Sequence, residues 1–289
     1  MKGPKNITRR QFMVGSAGTV VLFAGAEAIR NPGTARAACT ISLPLPYFKD
    51  IDEPVLKPQS VREYAFNYYF QGGCMHGAAS GLMQAFKEAF GGHGTGWDLL
   101  PYGMYLYGSG GVAGWGTLCG VLNGCLAIAN LIGIHNLIAN DLMGWYATTL
   151  FPMANCEGFV ADTGQTAIPD VEVLARSVSD SPLCHISIGK WCRAAGVSVA
   201  DTSEQGLQYK DDRCSKVCAD TAAKTAELIN EVVRKGTLTQ TFAIPEPYAS
   251  CVKCHTALKD PVGKMDCLSC HSPSDVVTID GWHPINKKK

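Results

Sequence analysis

The chain carries no excess of charge of either sign. Its 25 Lys and Arg balance 25 Asp and Glu over 289 residues, and charged residues are only 17% of the total. Without a basic surplus there is no electrostatic footprint for nucleic acid. Long clean apolar runs are also missing. Val112 to Ile134 has no charged residue and is long enough to span a membrane. Five glycines (Gly114, Gly116, Gly120, Gly124 and Gly133) and two Asn interrupt it, which favours a buried helix. Gly116, Gly120 and Gly124 then share one face, where another backbone approaches closely. No constellation of carboxylates, His or hydroxyls forms a convincing acid–base or nucleophilic site. The stretch from 249 to 289 is short of aliphatics and needs another source of apolar contact to fold.

Cysteine, by contrast, is plentiful, with 13 in the chain. Four lie in two copies of one pentapeptide, Cys251-Val252-Lys253-Cys254-His255 and Cys267-Leu268-Ser269-Cys270-His271. Cys-x-x-Cys-His is the attachment signature of c-type haem. The two thiols add to the haem vinyl groups, and the adjoining His reaches the iron. Two haem c per chain are therefore expected, on Cys251, Cys254, Cys267 and Cys270, with His255 and His271 as proximal ligands. The same four cysteines also approach a zinc-ribbon spacing. The His after each pair and the export signal argue for haem over zinc.

That export signal opens the chain. Arg9-Arg10 precede an uncharged stretch from Met13 to Ala26, and Ala35-Arg36-Ala37 reads as a small-residue cleavage site. Residues 1–38 form a twin-arginine signal peptide rather than a membrane anchor. Periplasmic localisation follows, with no integral membrane span in the mature chain. Cys39 lies near the cleavage point, but the residues before it lack the aliphatic position of a lipoprotein signal. Six basic residues up to Ala37 (Lys2, Lys5, Arg9, Arg10, Arg30, Arg36) against Glu27 leave the mature part at about −5. The twin-arginine route carries folded chains, so it points to a second cofactor inserted before export.

The mature chain divides into a Pro-rich extended lead-in (39–59), a helical Cys-rich core (60–236) and a dihaem segment (237–289). Ser60-Val61-Arg62-Glu63 reads as a capping box. The helix it opens is stopped by Gly72-Gly73, and a second runs from Cys74 to Phe90. The first-turn position of Cys74 predicts a lowered thiol pKa. Further helices are predicted over 112–134 and from Asn140 to Leu150, with a short helical piece near Val171–Ser177. Ser181-Pro182 reads as a cap for a helix that ends at Gly196. The last helix is predicted from Asp212 to Lys235, capped by Gly236. Thr237–Ile244 reads as extended linker or a small β element. The fold class is mainly α, a helical Cys-rich core followed by a largely irregular C-terminal dihaem-binding segment.

Nine cysteines remain: Cys39, Cys74, Cys119, Cys125, Cys156, Cys184, Cys192, Cys214 and Cys218. Composition leaves disulfides, core thiols and iron–sulfur ligands open for them. Cys119-Gly120-Val121-Leu122-Asn123-Gly124 resembles the Cys-Gly-Ala-x-x-Gly core of redox-active proteins with four characteristic cysteines, Val121 replacing the Ala. Gly73-Cys74 before a helix, Cys184 at a helix start and Cys214 opening the last helix complete the order. Joined to two Cys-x-x-Cys-His motifs, this core resembles the split-Soret cytochromes c, from about Ser60 to His271. The resemblance implies a homodimer with two c-type haems per chain, near enough to couple electronically. It also implies an iron–sulfur centre, [2Fe–2S] or another type, carried onto Cys74, Cys119, Cys184 and Cys214, with Cys192 and Cys218 as alternates.

A sixth ligand is needed for each haem iron to be low-spin. His76 is the first candidate, then His185 and His283; Met75 and Met265 are soft alternatives. His93 in a Gly loop reads as solvated and His135 as structural. The expected function is electron transfer in anaerobic respiration, with donor and acceptor unidentified. The competing readings are a haem- or thiol-dependent small-molecule reductase, and a zinc-stabilised binding module.

Overall fold

The computed structural model describes residues 55–90, 96–168 and 175–243. The expected signal peptide, most of the expected lead-in, Cys39, His93, both Cys-x-x-Cys-His motifs, Met265 and His283 lie outside the described residues.

Helix α1 (Pro58–Phe90) is two antiparallel arms joined at Gly73, whose φ of 79° and ψ of −169° no other residue adopts without strain. The arms are held by Tyr64 donating to Glu88 at 2.7 Å and Tyr68 donating to Gln84 at 3.4 Å. They touch because the facing side chains are absent: a Cβ on Gly81 would sit 2.7 Å from the Ala65 nitrogen. The second arm buries Cys74 through Met83 without a break, so it is the central helix of the molecule. The predicted break at Gly72-Gly73 and the restart at Cys74 are what the backbone shows. The capping box is not, since the helix opens at Pro58 and takes Ser60 inside. Pro58 suits that place because the first helical N–H has no partner anyway.

Helix α2 (Gly120–Leu131) packs on the second arm. A Cβ on Gly124 would meet the Met75 carbonyl at 2.6 Å, so small residues set the approach here as expected. The predicted helix over 112–134 is nevertheless wrong in its first third. Gly110, Gly111, Gly114 and Gly116 all have positive φ, as do Val112 and Ala113, and this segment is a loop. Gly116 therefore does not share a helical face with Gly120 and Gly124. An uncharged, glycine-rich run gives the same hydropathy whether it is helix or buried loop. Among the described residues no helix is long and apolar enough to cross a membrane.

Helix α3 (His135–Thr148) begins earlier than the expected Asn140, and His135 opens it. Strands β1 (Leu150–Phe151) and β2 (Ser177–Val178) then pair antiparallel, Leu150 opposite Val178. Ser177 is thus in a strand rather than the short helix expected there; 171–174 lie outside the described residues. Helix α4 (Cys184–Ala195) ends at Gly196 in the left-handed region, as read from sequence. It starts at Cys184 rather than at the Ser181-Pro182 cap. The Ser181 hydroxyl accepts from the Leu183 amide at 3.2 Å, and the first helical amides are taken by another loop.

Helix α5 (Glu204–Lys235) is longer than predicted. Ser203 caps it by accepting from the Gly206 amide at 3.1 Å, and Gly236 ends it. Cys214 is therefore inside this helix, not at its start. The helix packs along both arms of α1. Gly77 makes room for the Cys218 sulfur, Arg62 meets Asp220 at 3.1 Å, and Tyr69 donates to Asp211 at 2.9 Å. The chain after Gly236 is irregular as far as Ala243, so no β element forms in the described part of 237–244. It docks on α3: the Thr241 and Phe242 amides donate to the Asp141 carboxylate, and the Phe242 ring covers Gly144.

Candidate metal centre

Three helix N-termini and one helix flank converge on a single small cavity. Cys119 is the cap residue of α2, Cys184 is the first residue of α4, and Cys74 opens the second arm of α1 after the Gly73 break. Cys214 projects from the side of α5. All four thiols line one cavity of about 20 Å³, together with the apolar Val121 and Val217 and the polar Tyr146, Ser187 and Arg213. Cys74 and Cys119 are buried, whereas Cys184 and Cys214 are half-buried and mark the side that meets the surface.

The loop before α2 and the turn before α4 are laced together at this point. The Cys119 amide donates to the Pro182 carbonyl at 2.9 Å. The Cys184 amide donates to Thr117 at 2.7 Å, and the His185 amide to Gly116 at 3.0 Å. Gly120 next to Cys119 is obligatory for a different reason. A Cβ there would lie 2.5 Å from the Gly108 carbonyl and 2.9 Å from the Cys74 sulfur. The Cys-Gly pair of the sequence motif is thus the contact that brings two thiols together.

Charge in the cavity is unusual. Arg213 is 3% exposed. Its Nη2 donates to the Ser187 hydroxyl at 2.7 Å, and its Nη1 to the Cys214 sulfur at 3.7 Å. Its Nε has no partner. Tyr146 donates to the same Ser187 oxygen at 2.9 Å. Burial works against the guanidinium's charge, but the sulfur of Cys214 and the Tyr146 oxygen hold it protonated. Sequence reading missed all three polar residues. The only signal was adjacency: Arg213 precedes Cys214, and Ser187 follows Cys184 by three.

The thiols themselves are pushed the other way. Burial, reinforced by the charge of Cys119 and Cys214, raises Cys74, and only the Gly110 amide opposes it. Burial raises Cys119, against the Val121 amide that donates to its sulfur and the charge of Arg213. Cys184 is raised to about 12 by burial and by the neighbouring Cys119 and Cys214. The lowered pKa expected for Cys74 at a helix start is therefore corrected. Desolvation and mutual repulsion outweigh the helix end.

These features fit a thiolate-held metal centre. Four soft donors suit iron–sulfur chemistry. Amides donating to two of the sulfurs, three positive helix ends and a buried guanidinium all compensate negative charge that neutral thiols do not carry. No three described His, Cys, Asp or Glu side chains are grouped as ligands of one metal ion.

The other cysteines do different work. Cys218 sits one turn beyond Cys214 but faces α1, donating to the carbonyls of Cys74 at 3.4 Å and Ala65 at 3.7 Å. Cys192 is buried on α4 and does not line the cavity. Cys125 is buried beside Thr225, and Cys156 packs with Phe66, Ala161, Ala167 and Ala219. No disulfide joins two of the described cysteines. His76 is buried, with its Nδ1 3.0 Å from the Tyr68 carbonyl. That contact would fix the ring and leave Nε2 as the coordinating atom. His185 is exposed beside Cys184, and His135 is half-buried on α3.

A helical scaffold that gathers four thiols at one cavity, followed in sequence by two Cys-x-x-Cys-His motifs, is the organisation of a cytochrome c with a second, thiol-lined site. The chain is 33% identical over 228 residues to the split-Soret cytochrome c of Desulfovibrio desulfuricans, covering 75% of this chain and 76% of that protein. It belongs to the split-Soret cytochrome c family. The solved structure of the split-Soret cytochrome c from Desulfovibrio desulfuricans, described for its novel iron centre, superposes with a TM-score of 0.60 at 30% identity. The match covers 75% of this chain and 88% of that one. No family model matches the chain.

Proposed function

We propose that this protein is a periplasmic electron carrier with two covalent haem c and an iron–sulfur centre, acting as a homodimer in anaerobic respiration. The observation that carries the reading is the meeting of Cys74, Cys119, Cys184 and Cys214, spread over 141 residues of sequence, at one cavity. An iron centre in the related Desulfovibrio protein supports it. The haems would be held by Cys251, Cys254, Cys267 and Cys270 and ligated by His255 and His271, with His76, His185 or His283 as distal ligands. Export by the twin-arginine route suits a core that acquires its metal before crossing.

Bound there, the metal centre would supply a one-electron site in addition to the haems. The chain's own residues define its surroundings. Val121 and Val217 line the cavity with apolar surface. Gly110 and Val121 amides point at sulfur, Tyr146 keeps its proton because burial and the Cys119 charge raise it, and Arg213 stays cationic. A thiol-dependent reductase would need a thiolate at neutral pH. The raised Cys74 removes the feature on which that alternative rested.

The test is a mass spectrum of denatured, periplasmically matured protein beside oxidised and reduced visible spectra of the native form. The proposal expects two covalent haems per chain and a split, low-spin Soret band. A haem-free chain holding zinc, or a high-spin haem that binds external ligands, would end the carrier reading.

A further inference from the structure

We propose that Arg213 is a fixed countercharge that sets the reduction potential of the four-thiol centre; this rests on the iron reading of that cavity. The guanidinium is 3% exposed and lies in the cavity wall next to a sulfur donor. Among the described residues it shares no ion pair with Asp or Glu. Its sequence neighbour Asp212 turns instead to Lys216 at 3.2 Å and to the Ile168 amide at 2.7 Å. A buried cation without a carboxylate is costly unless an anion answers it. Among the described residues, the anionic candidates facing Arg213 are the sulfurs of Cys214 and Cys119 and the Tyr146 oxygen, which burial keeps protonated. A centre held by four thiolates is anionic and becomes more so when reduced.

The cation is also held in place. Ser187 accepts from Nη2 at 2.7 Å and from Tyr146 at 2.9 Å, so its hydroxyl ties α3, α4 and α5 together at the guanidinium. Nη1 reaches the Cys214 sulfur at 3.7 Å, and the unpartnered Nε leaves a further donor at the cavity. Net charge and hydrogen bonds to sulfur are the terms that move the potential of such centres. Reduction places one electron on iron, supplied by a ferrous haem that becomes ferric. No bond is made or broken and the guanidinium keeps its proton. A positive charge beside the centre favours the more negative, reduced state and raises the potential.

The experiment is a redox titration, followed by electron paramagnetic resonance, of the non-haem iron in the haem-loaded wild type and in Arg213→Met. Removing the charge should lower the reduction equilibrium constant at least tenfold, which is about 59 mV for one electron. A variant that keeps its iron at the wild-type potential overturns the proposal. Arg213→Lys covers the case in which the Met variant loses iron or does not fold. Lys keeps the charge and loses the planar fork. The proposal expects its potential within tenfold of wild type, and a larger shift overturns it. Wild-type protein without non-haem iron would instead overturn the metal reading on which the proposal stands.

Discussion

At the scale of single residues, near neighbours in sequence divide sharply in role. Cys214 and Cys218 are one helical turn apart, yet one lines the cavity and the other bonds the carbonyls of Cys74 and Ala65. Spacing alone could not separate them, which is why Cys218 stands as an alternate ligand in the sequence reading. Cys214→Ser should lose the non-haem iron and keep both haems. Cys218→Ala should keep the iron at a stability cost of about 1 kcal/mol. Colorimetric iron against haem on the same sample distinguishes them, and equal losses from both would contradict the assignment. Asp220 gives a second test at this scale. Burial pushes its carboxyl up to about 6, against hydrogen bonds from Asn155 and the charge of Arg62. The native state therefore holds the proton more tightly than the unfolded chain. The stability this contributes is fully present below about pH 4 and is lost as pH rises through about 6. Asp220→Asn should flatten that part of the stability–pH curve, by about 2–3 kcal/mol between pH 4 and pH 7. Urea unfolding of both proteins at the two pH values measures it, and parallel curves would reject the linkage.

At the scale of elements, the sequence was most legible where glycine or proline punctuates. The break at Gly73 and the ends at Gly196 and Gly236 were all readable because each needs a backbone that only glycine adopts cheaply. Starts were less legible. Tertiary hydrogen bonds from Cys184 and His185 to the 116–117 loop decide where α4 begins, and nothing local announces them. The 110–116 loop was misread as helix because hydropathy does not report φ. How the four thiols meet was not legible from spacing at all, since their contact depends on close backbone approaches such as Gly120 against Gly108. It came only from likeness to a known family. The hinge in α1 should be correspondingly sensitive. Gly73→Ala would force a side chain onto a φ of 79° and within 2.5 Å of the Ser109 hydroxyl. A loss of about 1–3 kcal/mol is expected, read as a lower urea midpoint. An unchanged midpoint would show that the two arms do not depend on this turn.

At the scale of the whole molecule, the described helices form a scaffold whose buried polar wall anticipates an anion. Arg213, Ser187 and Tyr146 make little sense around four neutral thiols, and would make less around two disulfides, because either leaves a buried cation uncompensated. Helix α3 links that wall to the chain that follows α5, since it carries Tyr146 at the cavity and Asp141 at the docked Thr241–Phe242. The central claim is that the four thiols hold iron, and it is tested most directly by counting non-haem iron and acid-labile sulfide per chain in the haem-loaded protein. The account predicts iron in excess of two per chain, accompanied by sulfide. Iron equal to the haem count, with no sulfide, would contradict it.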